Sequence, residues 1–134
     1  MLAPGGVLAG LWNTVDDGVD WVAGLARVSG PAAIGPRDTP ASWRTATATL
    51  HLPRTVAPPR FGAAAQAEFP HGQCRTADSL AETLGTRAGM LVMAKDDRAT
   101  VLARIRGYLA DRPETSDGEF TLPMVTCVLR TRRL

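Results

Sequence analysis

The chain has 134 residues, 45% of them hydrophobic, and a formal net charge of +2 at pH 7. This length suits one domain rather than two, and the hydrophobic content is ordinary for a globular protein. The basic residues are scattered except at Arg130, Arg132 and Arg133. We therefore expect no nucleic-acid partner, because such a partner needs a clustered basic face with aromatic residues between the charges.

Composition also disfavours membrane proteins and disulfide-stabilised secreted domains. No segment reaches the roughly 18 apolar residues of a membrane span, and no basic stretch followed by an apolar one marks a signal peptide. The two cysteines, Cys74 and Cys127, are far apart and share no metal-type spacing. We expect reduced thiols, no metal site and no membrane contact, in a cytoplasmic protein.

The first predicted element is a strand at about 7–12. Its nearly continuous apolar run, Val-Leu-Ala-Gly-Leu-Trp, is typical of a strand covered on both faces in the middle of an α/β sheet. The preceding Pro4-Gly5-Gly6 resembles the turn that leaves a helix. Nothing precedes that turn, so we expect the chain to be the back part of a larger domain.

The middle of the chain alternates between regular and irregular predictions. A turn-rich loop at 13–18 leads into a helix at about 19–28, which Ser29-Gly30-Pro31 ends. Residues 31–60 are rich in proline and are interpreted as a long surface insertion or lid, with a weak strand signal at 45–52. A strand is predicted at 64–73, and Thr76 is a suitable N-cap for a helix at 77–84.

The last third of the chain contains the clearest patterns. The segment 90–93 is a short apolar run that predicts a buried turn or a short piece of helix. A helix is predicted at 96–110, with one apolar stripe made by Val101, Leu102, Ile105, Tyr108 and Leu109. A long strand is predicted at 119–132, and both of its faces are apolar over most of its length. This strand is therefore expected inside a layered sheet.

Three motifs follow one another along the chain. The first reads Leu-Ala-Pro-Gly-Gly-Val-Leu from Leu2 and ends in Trp12-Asn13. The second reads Phe-Pro-His-Gly-Gln from Phe69, followed by Thr-Ala-Asp-Ser-Leu from Thr76, and the third reads Phe-Thr-Leu-Pro-Met-Val-Thr from Phe120. In this order they resemble the C-terminal half of a class I S-adenosylmethionine-dependent methyltransferase of the small-molecule type. They would be the helix exit and fifth strand, the sixth strand with its following helix, and the last, antiparallel strand.

The resemblance implies a fold and an activity, and it also exposes a departure. It implies an α/β fold: a partial doubly wound, Rossmann-like sheet with a parallel first strand and an antiparallel last strand, in a single partial domain spanning 1–134. In the family, a glycine-rich turn and an acidic residue in the front half bind S-adenosylmethionine. This chain has no such turn after a strand. We therefore expect no cofactor-binding residues in this chain, and one hypothesis is that Met1 lies inside a longer reading frame.

Candidate site residues each have a structural alternative. Trp12 and Asn13 are candidates for the wall of a methyl-acceptor pocket, or else a core residue and a turn former. His71 is a candidate general base, although a structural role is commoner for a lone histidine. Arg75 and Arg87 are candidates for binding the acceptor, Arg87 through a carboxylate, although exposed arginines without such a role are commoner.

Two functions remain open from the sequence. The first is transfer of a methyl group from S-adenosylmethionine to a small-molecule acceptor, with the isolated chain expected to be inactive and to bind no cofactor. The second is a non-catalytic remnant that associates with itself or with a partner. The second function predicts a homodimer that covers the exposed sheet edge, because an unpaired apolar edge is prone to association.

Overall fold

A computed structural model describes residues 2–41, 43–44 and 60–134. Its named elements, in chain order, are strand β1 (Val7–Val15), helix α1 (Asp20–Ser29), a 3₁₀ helix (Pro36–Asp38), strand β2 (Ala65–Thr76), and helices α2 (Ala77–Gly85), α3 (Ala88–Leu91) and α4 (Lys95–Ala110), followed by strand β3 (Glu119–Arg132). Residues 40–41 and 43–44 are also helical. The protein is thus a mixed α/β structure.

The three described strands form one open sheet in the order β1-β3-β2. Strand β3 pairs antiparallel with β1 on one side and with β2 on the other, so β1 and β2 run parallel to each other. The predicted antiparallel last strand is confirmed. Its two apolar faces suit the central position, where Leu122 and Cys127 are buried on opposite faces.

The helices cover one half of one sheet face, which we call the helix face. Phe120, Leu122 and Met124 of β3 lie on this face and belong to the main hydrophobic core. Helices α1, α2 and α4 pack against them, and the fully buried side chains include Leu25, Leu84, Ile105 and Leu109. The apolar stripe predicted for 96–110 is confirmed by the burial of Ile105 and Leu109.

The opposite sheet face, which we call the tryptophan face, has a smaller core. Trp43 packs there against Val125 and Cys127, and Leu129 is partly buried beside them. Thr14 of β1 is also buried on this face, and its hydroxyl donates a hydrogen bond to the carbonyl oxygen of Val125 (3.1 Å). The described part of the predicted 31–60 insertion therefore includes the 3₁₀ helix and Trp43, which packs on this face. The predicted strand at 45–52 lies outside the described residues.

The prediction that β1 is a central strand covered on both faces is wrong for the described residues. β1 lies at the edge of the sheet, and Leu8 and Leu11 are 45% and 65% exposed. A continuous apolar run predicts neighbours on both sides, but among the described residues only β3 pairs with it. The strand also extends to Val15 rather than ending at Trp12, because Thr14 and Val15 are buried.

The other element boundaries follow from local chemistry. Helix α1 ends at Gly30, whose φ of 73° suits glycine and whose N–H donates to the carbonyl of Ala26. Thr76 is the N-cap of α2, as predicted, and it exchanges hydrogen bonds with Ser79 in a capping box. Of the predicted segment 90–93, Met90 and Leu91 lie in the short helix α3, whereas Val92 and Met93 follow it; Met90 is buried and Val92 is 86% exposed.

Candidate functional site

Trp12 and Asn13 lie side by side in β1 but on opposite sheet faces, because side chains alternate along a strand. Trp12 lies on the tryptophan face, where its ring meets the Trp43 ring edge-on at a centroid distance of 4.1 Å. Asn13 lies on the helix face, and its side-chain oxygen accepts a hydrogen bond from the Thr126 hydroxyl (2.7 Å). These two residues cannot line one pocket on the same side of the sheet.

His71 lies in β2, on the helix face and in register with Met124. Its side chain is exposed. Asn13 is on the same face, but it lies in the other edge strand and pairs with Thr126 rather than Met124. Because β3 separates the two strands, the spacing between strands places Asn13 and His71 roughly 10 Å or more from each other. Among the described residues, no acidic or basic group is bonded to His71 that would mark it as an oriented general base.

Arg75 and Arg87 are both engaged in contacts within the fold. The Arg75 guanidinium donates hydrogen bonds to the Thr83 hydroxyl (3.2 Å) and the Gln73 side-chain oxygen (3.0 Å), which ties β2 to α2. Arg87 forms an ion pair with Asp38 (3.1 Å), and so holds the 3₁₀ helix against the start of α3. Both arginines are therefore held by contacts within the fold.

The five candidates do not converge on one catalytic constellation within the described residues. That part of the chain also has no group of three or more His, Cys, Asp and Glu side chains that could hold a metal ion. Among the described residues, a bidentate ion pair joins Arg44 to Glu68 on the tryptophan face, with distances of 2.8 and 2.7 Å. The hydrogen bonds that Arg44 donates hold the pKa of the Glu68 carboxyl below its ordinary value.

Each thiol lies next to one candidate residue: Cys127 faces Trp12 in the β1–β3 register, and Cys74 directly precedes Arg75 in β2. Cys127 is buried beside Thr14, and burial raises its thiol pKa. Cys74 is exposed and donates a hydrogen bond to the Glu119 carboxylate (2.6 Å), which raises its thiol pKa. Both thiols are therefore protonated near neutral pH, and the environment does not activate either one as a nucleophile.

The sheet has a surface feature that the sequence patterns did not predict. On the helix face, beyond the helices, Leu11 and Phe69 are 65% and 57% exposed. A shallow cavity of about 240 Å³ lies beside Phe69, lined by Ala65, Gln66, Ala67, Phe69, Val128 and Arg130. One feature of the sequence points to this surface. Both faces of β3 are apolar over most of its length, whereas the described helices pack against only half of one face.

The free edge of β1 has a defined set of backbone groups with no partner among the described residues. Arg133 donates its N–H to the carbonyl of Gly6, and Asp16 donates its N–H to the carbonyl of Pro123. These bonds fix the ladder so that the even-numbered residues of β1 bond to β3. The odd-numbered residues Val7, Ala9, Leu11 and Asn13 therefore direct their N–H and C=O groups away from the sheet.

The free edge of β2 differs from that of β1. In the β2–β3 register, the even-numbered residues of β2 face away from β3, and Pro70 occupies one of these positions. Proline has no N–H to offer, so it fits an outward-facing position and interrupts that edge. Glu68 adds a charge to the same edge, and both features discourage pairing with another strand.

The comparisons with known proteins leave the family open. No protein-family model matches the chain, and no curated protein matches it either.

None of the described helices has both the length and the apolar composition needed to cross a membrane. Within the described part of the chain, the geometry singles out the apolar, uncharged edge at β1 together with the exposed half of the helix face, which includes Leu11 and Phe69.

Proposed function

We propose that the chain is the acceptor-side, C-terminal part of an S-adenosylmethionine-dependent methyltransferase that acts on a small molecule. In this proposal the methyl donor is held by residues outside the given sequence, and a partial doubly wound sheet is completed by further strands beside β1. The isolated chain is inactive and binds no S-adenosylmethionine. A cytoplasmic location stays part of the proposal.

The observation that carries the proposal is the direction of the three strands. The resemblance implies a parallel first strand and an antiparallel last strand, and β3 is antiparallel to both β1 and β2. The apolar edge of β1, which pairs only with β3 among the described strands, adds support, because a strand with exposed Leu8 and Leu11 is suited to take a further neighbour. The helices α1 and α2 follow β1 and β2 directly, as in alternating strand–helix folds.

The same strand directions indicate where the acceptor would bind. Strands β1 and β2 are parallel, so their carboxyl ends meet at one end of the sheet, where ligands of open α/β sheets bind. The Asp16–Gly18 loop follows β1 at this end, and Arg75 is the penultimate residue of β2. Arg87 holds the nearby 3₁₀ helix through Asp38. We assign Arg75 and Arg87 to positioning the wall of the acceptor pocket at this end of the sheet. Asn13 and His71 lie earlier in their strands, farther from that end.

The test compares the 134-residue chain with the product of the complete reading frame in its host. We expect a protein purified from that host to have an intact mass about twice the 14.2 kDa of this chain, and to give a calorimetric signal with S-adenosylhomocysteine. The 134-residue chain is the matched control and gives no signal. Upstream in-frame DNA that encodes no glycine-rich strand–turn–helix contradicts the proposal, as does binding by the control.

A second candidate function is self-association without catalysis, and the edge of β1 favours it. The strand carries no charge and no proline between Val7 and Val15, and its outward-facing backbone groups are unpaired among the described residues. Such an edge is an association surface in any protein that leaves it bare. A native protein of about 14.2 kDa per chain that forms a stable dimer favours this function over methyl transfer.

A further inference from the structure

We propose that, in the 134-residue protein, β1 pairs antiparallel with β1 of a second copy, about a two-fold axis that passes through Gly10. The inference rests on the self-association function and does not depend on methyl transfer. It joins the two open sheets into one six-stranded sheet in which both copies of β1 become central strands. The exposed stretch, its ladder and its side chains each support this arrangement.

The exposed stretch of β1 determines the register. Residues from Val7 to Asn13 are exposed or half-exposed, whereas Thr14 and Val15 are buried. The middle of that exposed stretch is Gly10. An antiparallel pair about a two-fold axis gains most overlap when the axis passes through the middle, so that Val7 faces Asn13 of the second copy and Ala9 faces Leu11.

The hydrogen-bond ladder permits this register. Val7, Ala9, Leu11 and Asn13 direct their backbone groups to the free edge, as the bonds of Gly6 and Asp16 to β3 establish. With the axis at Gly10, each of these residues faces another odd-numbered residue of the second copy. Every outward-facing N–H and C=O of the stretch therefore finds a partner, and Gly10 faces itself in a pair without direct hydrogen bonds.

The side chains of the two copies are also compatible. On the tryptophan face, Leu8 meets Trp12 of the second copy, and both side chains are more than a third exposed in the single chain. On the helix face, Leu11 meets Ala9, and the apolar surface beside Leu11 becomes continuous across the axis. Apolar cross-strand pairs of this kind stabilise antiparallel sheets by a few tenths to about 1 kcal/mol each.

Charge selects a second copy over a charged partner. No acidic or basic residue occurs between Leu2 and Val15, so two copies of this edge meet without like-charge repulsion. A partner that binds through charge would find no counter-charge on β1. The edge of β2 is a poor alternative, because Pro70 has no N–H to offer at an outward-facing position of that edge.

The first experiment measures the oligomeric state of the 134-residue protein by sedimentation or light scattering. We expect a dimer of about twice 14.2 kDa. Ala9→Pro removes an N–H that faces the free edge while the ladder to β3 is kept, so the dimer dissociation constant should rise about tenfold or more. Gln66→Pro makes the matched change at the edge of β2, and it should leave the dimer intact.

The second experiment tests the register by crosslinking. In a Cys74→Ser background, Gly10→Cys places two thiols directly opposite each other, about 4.5 Å apart between Cα atoms, which suits a disulfide. Leu8→Cys is the control, because its two copies lie four residues apart along the strand, roughly 13 Å. We expect a disulfide-linked dimer on mild oxidation of the Gly10→Cys protein only. Amide exchange in the unmodified protein gives a second measurement, with slow exchange at Ala9 and Leu11 expected.

The outcomes separate the two levels of the proposal. A monomer at all accessible concentrations overturns both the self-association function and the β1 pair. A dimer that dissociates on Gln66→Pro but persists on Ala9→Pro overturns the choice of edge. A dimer that Ala9→Pro weakens, but in which Leu8→Cys crosslinks and Gly10→Cys does not, overturns the register alone. If Gly10→Cys fails to fold against the Trp12 ring, fast exchange at Ala9 and Leu11 in the unmodified protein overturns the pairing.

Discussion

Gly24 is a residue whose lack of a side chain has a specific structural reason. It lies buried in α1, and a Cβ atom there would overlap the Tyr108 hydroxyl of α4. That hydroxyl donates a hydrogen bond to the carbonyl of Trp21 (2.8 Å). The present position of the Tyr108 side chain therefore depends on glycine at position 24, although glycine has low helix propensity.

Gly24→Ala should destabilise the protein, because Tyr108 must move and lose its hydrogen bond. Alanine at an ordinary helix position would instead stabilise by up to about 1 kcal/mol. Chemical denaturation of Gly24→Ala, Tyr108→Phe and the double variant measures the coupling. The two changes should be less than additive, since Tyr108→Phe removes the atom that lies closest to the new methyl group. If Gly24→Ala instead stabilises the protein, the Tyr108 side chain can move away from position 24 without loss of stability, and the prediction is wrong.

Met90 in the short helix α3 and Val92 directly after it differ sharply in burial. Met90 is fully buried in the main core, whereas Val92 is 86% exposed two residues further on. Met90→Ala should lower the free energy of unfolding by about 2–5 kcal/mol, because it removes buried methylene groups and leaves a cavity. Val92→Ala is the control and should change it by less than about 0.5 kcal/mol. Equal effects in urea denaturation would contradict the placement of α3.

At the level of elements, the 3₁₀ helix is held through Asp38. One carboxylate oxygen of Asp38 accepts the N–H of Gly35 (2.8 Å), and the other pairs with Arg87 at the start of α3. The pair is partly exposed, with 42% and 27% of the arginine and aspartate side chains accessible. Solvent therefore screens much of its attraction.

Asp38→Ala should destabilise the protein more than Arg87→Ala, because only the aspartate change also removes the bond to Gly35. We expect the coupling between the two residues to be at most about 1 kcal/mol, as for other exposed pairs. A double-mutant cycle measured by thermal unfolding gives this value. If Arg87→Ala proves the more damaging change, Arg87 has a further role, and its assignment as a positioning residue is wrong.

Local patterns predicted most elements because their signals are local. The stripe of α4, the N-cap Thr76 and the long strand β3 all follow from short-range periodicity or capping. The position of β1 could not be predicted in this way. Its apolar run indicates burial on both faces, but the identity of the neighbour depends on residues distant in sequence or on another chain, which periodicity does not report.

The candidate site was less predictable than the fold, for a similar reason. Trp12 and Asn13 are adjacent in sequence, and only the extension of β1 to Val15 places them on opposite faces. Arg75 and Arg87 were candidates for a ligand because arginine binds carboxylates. Their partners Thr83 and Asp38 lie 8 and 49 residues away in sequence, and residue types alone do not reveal such pairs.

At the scale of the whole molecule, charge and apolar surface are segregated. Arg130, Arg132 and Arg133 lie at the end of the sheet where β1 begins, whereas Asp16 and Asp17 lie where it ends. The uncharged β1 edge runs between these two ends. Two modes of association therefore compete in principle: a charge-driven, head-to-tail contact and the apolar pairing of β1 with β1.

Salt separates these two modes of association. Raising sodium chloride from 0.1 to 1 M shortens the screening length from about 10 to 3 Å, which weakens contacts between exposed charges. The β1 pair contains no charges, so its dissociation constant should stay constant or fall, because apolar burial is insensitive to screening. Sedimentation equilibrium at both salt concentrations measures the change. A dissociation constant that rises tenfold would mean that opposite charges join the copies, and that β1 remains bare in the complex.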